Sequence, residues 1–402
     1  MRGGFLKWLL ALVDLSSRKI RERDLTRNTL IWIKDCSSVL GPGRTLPGRV
    51  EQGVSIVRFT AVSGGEDQRW RLLTSLDAEP LQSQLMAQTP WGELTVQDAH
   101  VHFFSHKFYA ALAQQKKAAN AEALGPLLNF EIPGPDAAAL GSRWDVELNR
   151  FAVERAALIG SMPGDEDSVS AAVAAHPGRF YGYFMLDPTQ PDALDRVKKA
   201  AANQHLHAIC LFPAMHTYSI TDARLVPILE VASDHQLAVF VHCGAISVGI
   251  RKKLGLASQF NLHYSNPLDL HPVALHFPLV RFVIPHFGAG LFREALMLAD
   301  LCPNVYFDTS SSNRWVVYEG ISLADAFRRS IEVLGIQRLL FGSDSSFFPR
   351  GWHAAILEQQ TKVMYELGLD APQAAQILCS NLKQLHQPRI LKASNERTQQ
   401  SE

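Results

Sequence analysis

The sequence predicts an α/β protein whose main domain is a parallel (β/α)8 barrel, with a small N-terminal segment in front of it. Three observations lead there. From Leu94 onward, short apolar runs alternate with loops and helical stretches, and eight such runs follow one another. Most are continuously apolar, as strands buried on both faces of a parallel sheet are. No G-x-G-x-x-G follows the first run, where an open doubly wound sheet that binds a dinucleotide would carry one.

The first run is Val96 to Phe103, within T-V-Q-D-A-H-V-H-F-F. The second, Val153 to Ile159, precedes the loop Pro163-Gly164-Asp165-Glu166-Asp167 and an Ala/Val-rich helix ending before His176-Pro177-Gly178. Phe180 to Leu186 is third, closing with Asp187-Pro188, and Ala208 to Phe212 is fourth, closing with Pro213. Thr221 is the N-cap expected for a helix reaching about His235. Leu237 to Val241 stops at His242, and Val280 to Ile284 stops at Pro285-His286. Val305 to Phe307 stops at Asp308, and Arg338 to Phe341 stops at Gly342-Ser343-Asp344. The barrel domain is therefore expected over 94–390, with a polar tail at 391–402.

Residues 1–93 lack this rhythm. Gly41-Pro-Gly-Arg-Thr-Leu-Pro-Gly48 is loop by its breakers, and Val54 to Val62 with Arg69 to Leu76 form an expected hairpin across Gly64-Gly65-Glu66-Asp67. Phe5 to Val13 follows Arg2 as a leader would, but Lys7 interrupts it, Asp14 follows it and no small-residue cleavage site succeeds it. A short amphipathic helix is the expectation there.

Composition bounds the function. The chain has 402 residues, 47% hydrophobic and 19% charged, the make-up of an ordinary globular protein. Lys plus Arg and Asp plus Glu both number 39, so no net field attracts nucleic acid or an anionic membrane. No apolar run reaches the roughly 20 residues of a membrane-spanning helix. The five cysteines are scattered without a C-x-x-C pair, which points to a reducing, cytoplasmic setting. A small, anionic organic molecule is the expected partner, and a homodimer the expected assembly.

In a regular strand Asp98, His100 and His102 face one side, and Ala99, Val101 and Phe103 the other. Two imidazoles facing the same way suit a divalent ion, which needs neutral nitrogen donors on a rigid scaffold. In a barrel every strand ends on one face. His100 and His102 would there meet His242, His286 and Asp344. Each alone has a structural explanation, as a satisfied rim histidine or a helix cap. Together, imidazoles and a carboxylate at four of the eight strand ends are the donors a zinc-like ion prefers.

Gln97-Asp-Ala-His-Val-His102 resembles the D-x-H-x-H opening of the amidohydrolase superfamily. Phe240-Val-His-Cys-Gly244, Ile284-Pro-His-Phe-Gly-Ala-Gly290 and Leu340-Phe-Gly-Ser-Asp344 resemble later strand ends of its branch of amidohydrolase-related hydrolases and aminocarboxymuconate-semialdehyde-type decarboxylases. Leu186-Asp187-Pro188 and Val305-Tyr-Phe-Asp-Thr-Ser310 fit that branch in position. The likeness covers roughly 94–390. It implies a TIM barrel in which His100, His102, His242 and Asp344 hold a catalytic metal, with His286 as an acid/base or polarising residue. Binuclear members carry a carboxylated lysine at the end of strand four, and Ile209-Cys-Leu-Phe-Pro213 has none. One divalent ion is thus expected, zinc foremost, with Mn, Fe or Co as alternatives.

Such an ion acidifies water and polarises a carbonyl, so hydrolysis of an amide, lactone or ester of a small organic acid is the first expectation. Decarboxylation of an aromatic or enoic acid is the second. A non-catalytic binding barrel is the third, and a missing ligand would support it. Asp344 is the expected proton carrier. Asp98 and Asp308 are expected to orient ligands, with His216, Arg314, Trp315, Phe347 and Arg350, together with Phe348 and Trp352, expected around the substrate. Neither G-x-S-x-G nor G-x-x-x-x-G-K-[ST] occurs.

Overall fold

The computed structural model describes residues 30–34, 54–61, 70–72, 85–245, 249–310 and 315–387. The expected N-terminal helix, the breaker-rich loop, Arg314 and the tail 391–402 lie outside the described residues. The chain divides into two compact units, 1–83 and 84–402. In the first, Val54–Ala61 pairs antiparallel with both Leu30–Lys34 and Trp70–Leu72.

In the second unit eight strands form one sheet in which each neighbours the next in sequence. They are β1 (Gln97–Phe103), β2 (Arg155–Gly160), β3 (Phe180–Leu186), β4 (Leu206–Leu211), β5 (Ala238–Val241), β6 (Phe282–Ile284), β7 (Val305–Asp308) and β8 (Leu339–Leu340). Every adjacent pair is parallel. Closure of the ring comes from the chain after β8. Phe341 O accepts from Ala99 N at 2.8 Å, Asp344 N donates to His100 O at 2.9 Å, and Ser345 O accepts from His102 N at 2.7 Å. This is a (β/α)8 TIM barrel.

The unit begins earlier than the boundary at 93/94 that the sequence suggested. Ala87–Thr89 and Gly92–Leu94 form a short hairpin, and its Trp91 Nε1 donates to Leu369 O at 2.8 Å. A hairpin this short and polar carries too little pattern to be read from sequence.

Two apolar layers fill the barrel. Side chains such as Leu158, Phe184, Ile209, Val239, Phe282 and Phe307 pack outward against the helices. Inside, Ile159, Tyr183, Met185, Cys210, Phe240 and Leu340 meet Leu382 and Leu385 of the C-terminal helix Asn381–Leu385. That helix stops the base of the barrel, where the Tyr183 hydroxyl and His386 Nε2 lie 2.7 Å apart. The four described cysteines are free and buried. No described helix is long and apolar enough to cross a membrane.

One irregularity matters for the site. The β1–β2 register shifts between Asp98 and Val101, and a bulge re-aims side chains. Ala99 consequently joins the interior cluster, whereas strict alternation placed it on the opposite face from the histidines.

The base of the barrel generates a prediction about pH. Burial holds His386 well below the ordinary histidine range and lowers His207 to about 4. Unfolding restores ordinary values near 6.5, so the unfolded chain binds more protons as pH falls below that point. Stability should therefore decline from about pH 6.5 downward, by up to about 1.4 kcal/mol per pH unit for each such group. Melting followed against pH checks this, and His386→Gln should flatten the slope; an unchanged slope in that variant contradicts the assignment.

Candidate active site

The chain ends of β1, β5, β6 and β8 bring five side chains together. His100, His102 and Asp344 offer ligand atoms within 4.8 Å of one another, and so do His100, His242 and His286. His100 belongs to both groups. The four expected ligands thus span two overlapping triads, with His286 as near to His100 as the others are. His100 Nε2 lies 3.4 Å from His102 Nε2, and Asp344 Oδ1 lies 3.2 Å from His102 Nε2 and 3.8 Å from His100 Nε2.

Local backbone conformation aims these groups. His286 (φ 56°) and Phe287 (φ 51°) stand in the left-handed region directly after β6, as Asp344 (φ 56°) does after β8. That region costs a non-glycine residue about 1–2 kcal/mol. Such strain persists only where the surroundings fix it, and it concentrates at functional sites. Gly342 explains how the β8 chain comes so near. A Cβ there would collide with Asp308 Oδ1 and lie 3.0 Å from His100 Cβ and Ser310 Cβ, so a side chain would displace the carboxylate that holds His100.

Hydrogen bonds fix the orientations. His100 Nδ1 is 2.5 Å from Asp308 Oδ2, and both residues are fully buried. His102 Nδ1 lies 3.2 Å from Ser161 Oγ, and His286 Nδ1 lies 2.8 Å from Ser310 Oγ. Asp98 is absent from the cavity wall. Its carboxylate accepts from His100 N at 2.9 Å, Ser343 N at 3.0 Å, Trp352 Nε1 at 2.7 Å and the Ser343 hydroxyl. It ties the strand carrying two histidines to the loop carrying Asp344. Burial pushes Asp98 up to about 6 against the pull of these donors.

The electrostatics follow from burial and pairing. Burial pulls His100 down, but the Asp308 carboxylate outweighs it and the net direction is up. Burial pushes Asp344 up, and His102, His286 and His100 outweigh it, so its carboxylate is held far below the usual range. His242 and His286 are both lowered, chiefly by burial, and so stay neutral.

These donors fit a divalent ion. Imidazole nitrogens and an ionised carboxylate are donors such an ion takes, and among the described residues neither ring nitrogen of His242, both buried, has a hydrogen-bond partner. A separation of 3.4 Å between two Nε2 atoms is that of nitrogens about 2.1 Å from one tetrahedral ion. An Asp308–His100 pair behind the site is the usual outer support of a ligating histidine.

Above the cluster lies a cavity of about 530 Å³. Its walls include Phe104, Phe108, Phe130, Met162, Met185, Phe212, His216, Phe347 and Arg350. His216, Phe347 and Arg350 thus face the cavity as expected from their loops. Trp315 does not: its ring is buried against Phe287 and Phe292, at 5.4 and 6.3 Å, behind the β6 loop. Trp352 is likewise buried, on Asp98, and Phe348 lines a neighbouring cavity. Phe104, Phe108 and Phe212 were missed. The first two belong to a cluster over the pocket that includes Ile250 and Leu254, far away in sequence.

The amidohydrolase family model matches residues 97–381. The chain belongs to the amidohydrolase family. Among curated proteins, protein fluG of Emericella nidulans is 35% identical over 92 residues, 23% of this chain. That stretch spans only 10% of the relative's length. Among solved structures, 5-carboxyvanillate decarboxylase from Sphingomonas paucimobilis is 17% identical with a TM-score of 0.53, covering 73% of this chain and 99% of its own. The 5-carboxyvanillate decarboxylase of Novosphingobium aromaticivorans, solved as a mutant with bound manganese and a nitrobenzoic acid, is 14% identical. Its TM-score is 0.51, with 75–76% of this chain and 98% of its own covered across two structures. At such identities the likeness is one of fold.

Asp308→Ala removes the acceptor behind His100. It should weaken divalent-ion retention by the protein about 10–100-fold, measured by chelator competition, with the circular dichroism spectrum unchanged. Retention equal to wild type would show that His100 needs no such support.

Proposed function

We propose that the protein is a metal-dependent carboxy-lyase that removes carbon dioxide from a small aromatic or enoic acid. The observation that carries this reading is Arg350. Its guanidinium faces the cavity and pairs with no carboxylate side chain among the described residues; Nη2 donates to Asp344 O at 3.3 Å and Ser346 Oγ at 3.0 Å. The side chain is exposed, and its guanidinium lies over the Phe347 ring, 4.5 Å from the centroid. A cation so placed is stabilised by an anionic substrate. The aromatic walls suit a flat apolar body, and the two neighbours of similar fold named as 5-carboxyvanillate decarboxylases add support.

His100, His102, His242 and Asp344 would hold the ion. When bound, it supplies Lewis acidity, polarising substrate oxygens and acidifying water. Zinc suits this imidazole-rich set, and the Novosphingobium enzyme of similar fold was solved with manganese. The protein's own groups do the rest. Arg350 orients the carboxylate, and the aromatic wall keeps water away. Asp344, held ionised by the imidazoles, takes a proton from a substrate hydroxyl or water and returns it to the carbon bearing the carboxylate. The carbon–carboxylate bond then breaks, its electron pair restores the unsaturated system, and carbon dioxide leaves. His286, its Nδ1 fixed by Ser310, stabilises negative charge developing on substrate oxygen, a contribution on the order of 3 kcal/mol.

Hydrolysis is the second reading: Asp344, whose Oδ1 lies 3.2 Å from His102 Nε2 in the same cluster, would then take the proton of an attacking water.

A panel of aromatic and enoic acids, lactones and amides, offered to the metal-loaded protein, separates the two. Carbon dioxide release is expected, and Arg350→Met should raise KM about tenfold or more through loss of a charge-assisted contact. Ring opening or amide cleavage without carbon dioxide would replace this reading with the hydrolytic one.

A further inference from the structure

Four imidazoles converge at the foot of the cavity, and three of them are oriented by a hydrogen bond, to Asp308, Ser161 and Ser310 respectively. His242 is different. Both of its ring nitrogens are buried, and neither has a hydrogen-bond partner among the described residues. An imidazole without such a bond lacks the partner that normally fixes the orientation of a ligating histidine.

What His242 has in its place is a ring. Phe212 stacks on it with centroids 3.8 Å apart and planes 17° from parallel. The other ring contacts of His242, with His100 at 5.4 Å and His286 at 5.7 Å, are edge-on. A parallel ring covers one face of the imidazole and leaves its edge, which carries both nitrogens, open. It therefore restricts the angle of the plane without competing for a nitrogen. Phe212 is itself fixed. It follows β4, is 3% exposed, and its carbonyl accepts from Met215 N and His216 N, each at 3.0 Å.

We infer that Phe212 is the positioning residue of His242: stacking holds the imidazole plane so that its edge stays directed at the cluster, replacing the hydrogen bond that orients each of the other three. This rests on the reading that the cluster binds a divalent ion. The role belongs to the flat face of an aromatic ring, so an aliphatic side chain of similar bulk cannot fill it.

The test uses cobalt as the probe, on the full chain freed of metal. Phe212→Leu should lower cobalt affinity about tenfold by chelator competition and alter the cobalt absorption spectrum, while Phe212→Tyr should restore both. A change in spectrum with rescue by tyrosine is not what general loosening of the pocket produces. Phe212→Met serves if the leucine variant does not fold, since it keeps bulk and lacks a face. Wild-type affinity and spectrum in the leucine or methionine variant would overturn the inference. Failure of the wild-type protein itself to bind cobalt or any other divalent ion would overturn the metal reading, and this inference with it.

Discussion

The site depends on one seam, where the chain after β8 returns to β1. Backbone pairing closes the barrel there, and the Asp98 carboxylate clamps both sides at once, taking bonds from His100 N, Ser343 and Trp352. Two strands that meet only by backbone could slip or part; a buried carboxylate with four donors is costly to disturb, because each donor left without it loses its partner in a dry interior. The bulge in β1 gives this arrangement its geometry. It turns Asp98 toward the seam and leaves His100 and His102 facing the cavity.

From that seam outward, orientation is supplied by different means for each group. One carboxylate, two hydroxyls and one aromatic face each contact one imidazole, and left-handed backbone aims His286 and Asp344. These devices share a property: they fix a side chain without occupying the edge it presents to the cavity. The cost is local backbone strain and buried polar groups, both characteristic of sites kept for chemistry rather than stability.

The barrel was legible because buried parallel strands are apolar throughout and stop abruptly at polar residues. His242, His286 and Asp344 stood out at such stops, and eight of them in series left one architecture. Loop residues have no comparable period. Trp315 was expected at the pocket on proximity alone, yet its ring turned into the helical layer. The bond between Trp352 and Asp98 joins residues separated by 254 positions, and the stack of Phe212 on His242 joins consecutive strands whose relative depth no local pattern encodes. The bulge was hidden for a related reason, since Val-Gln-Asp-Ala-His-Val-His contains no glycine to mark it.

Elemental analysis of the purified protein alongside His100→Ala measures most directly whether this cluster holds a single divalent ion. Close to one equivalent per chain is expected in the wild type, with a large loss in the variant. No ion in the wild type, two equivalents, or undiminished metal content in the variant would contradict that expectation.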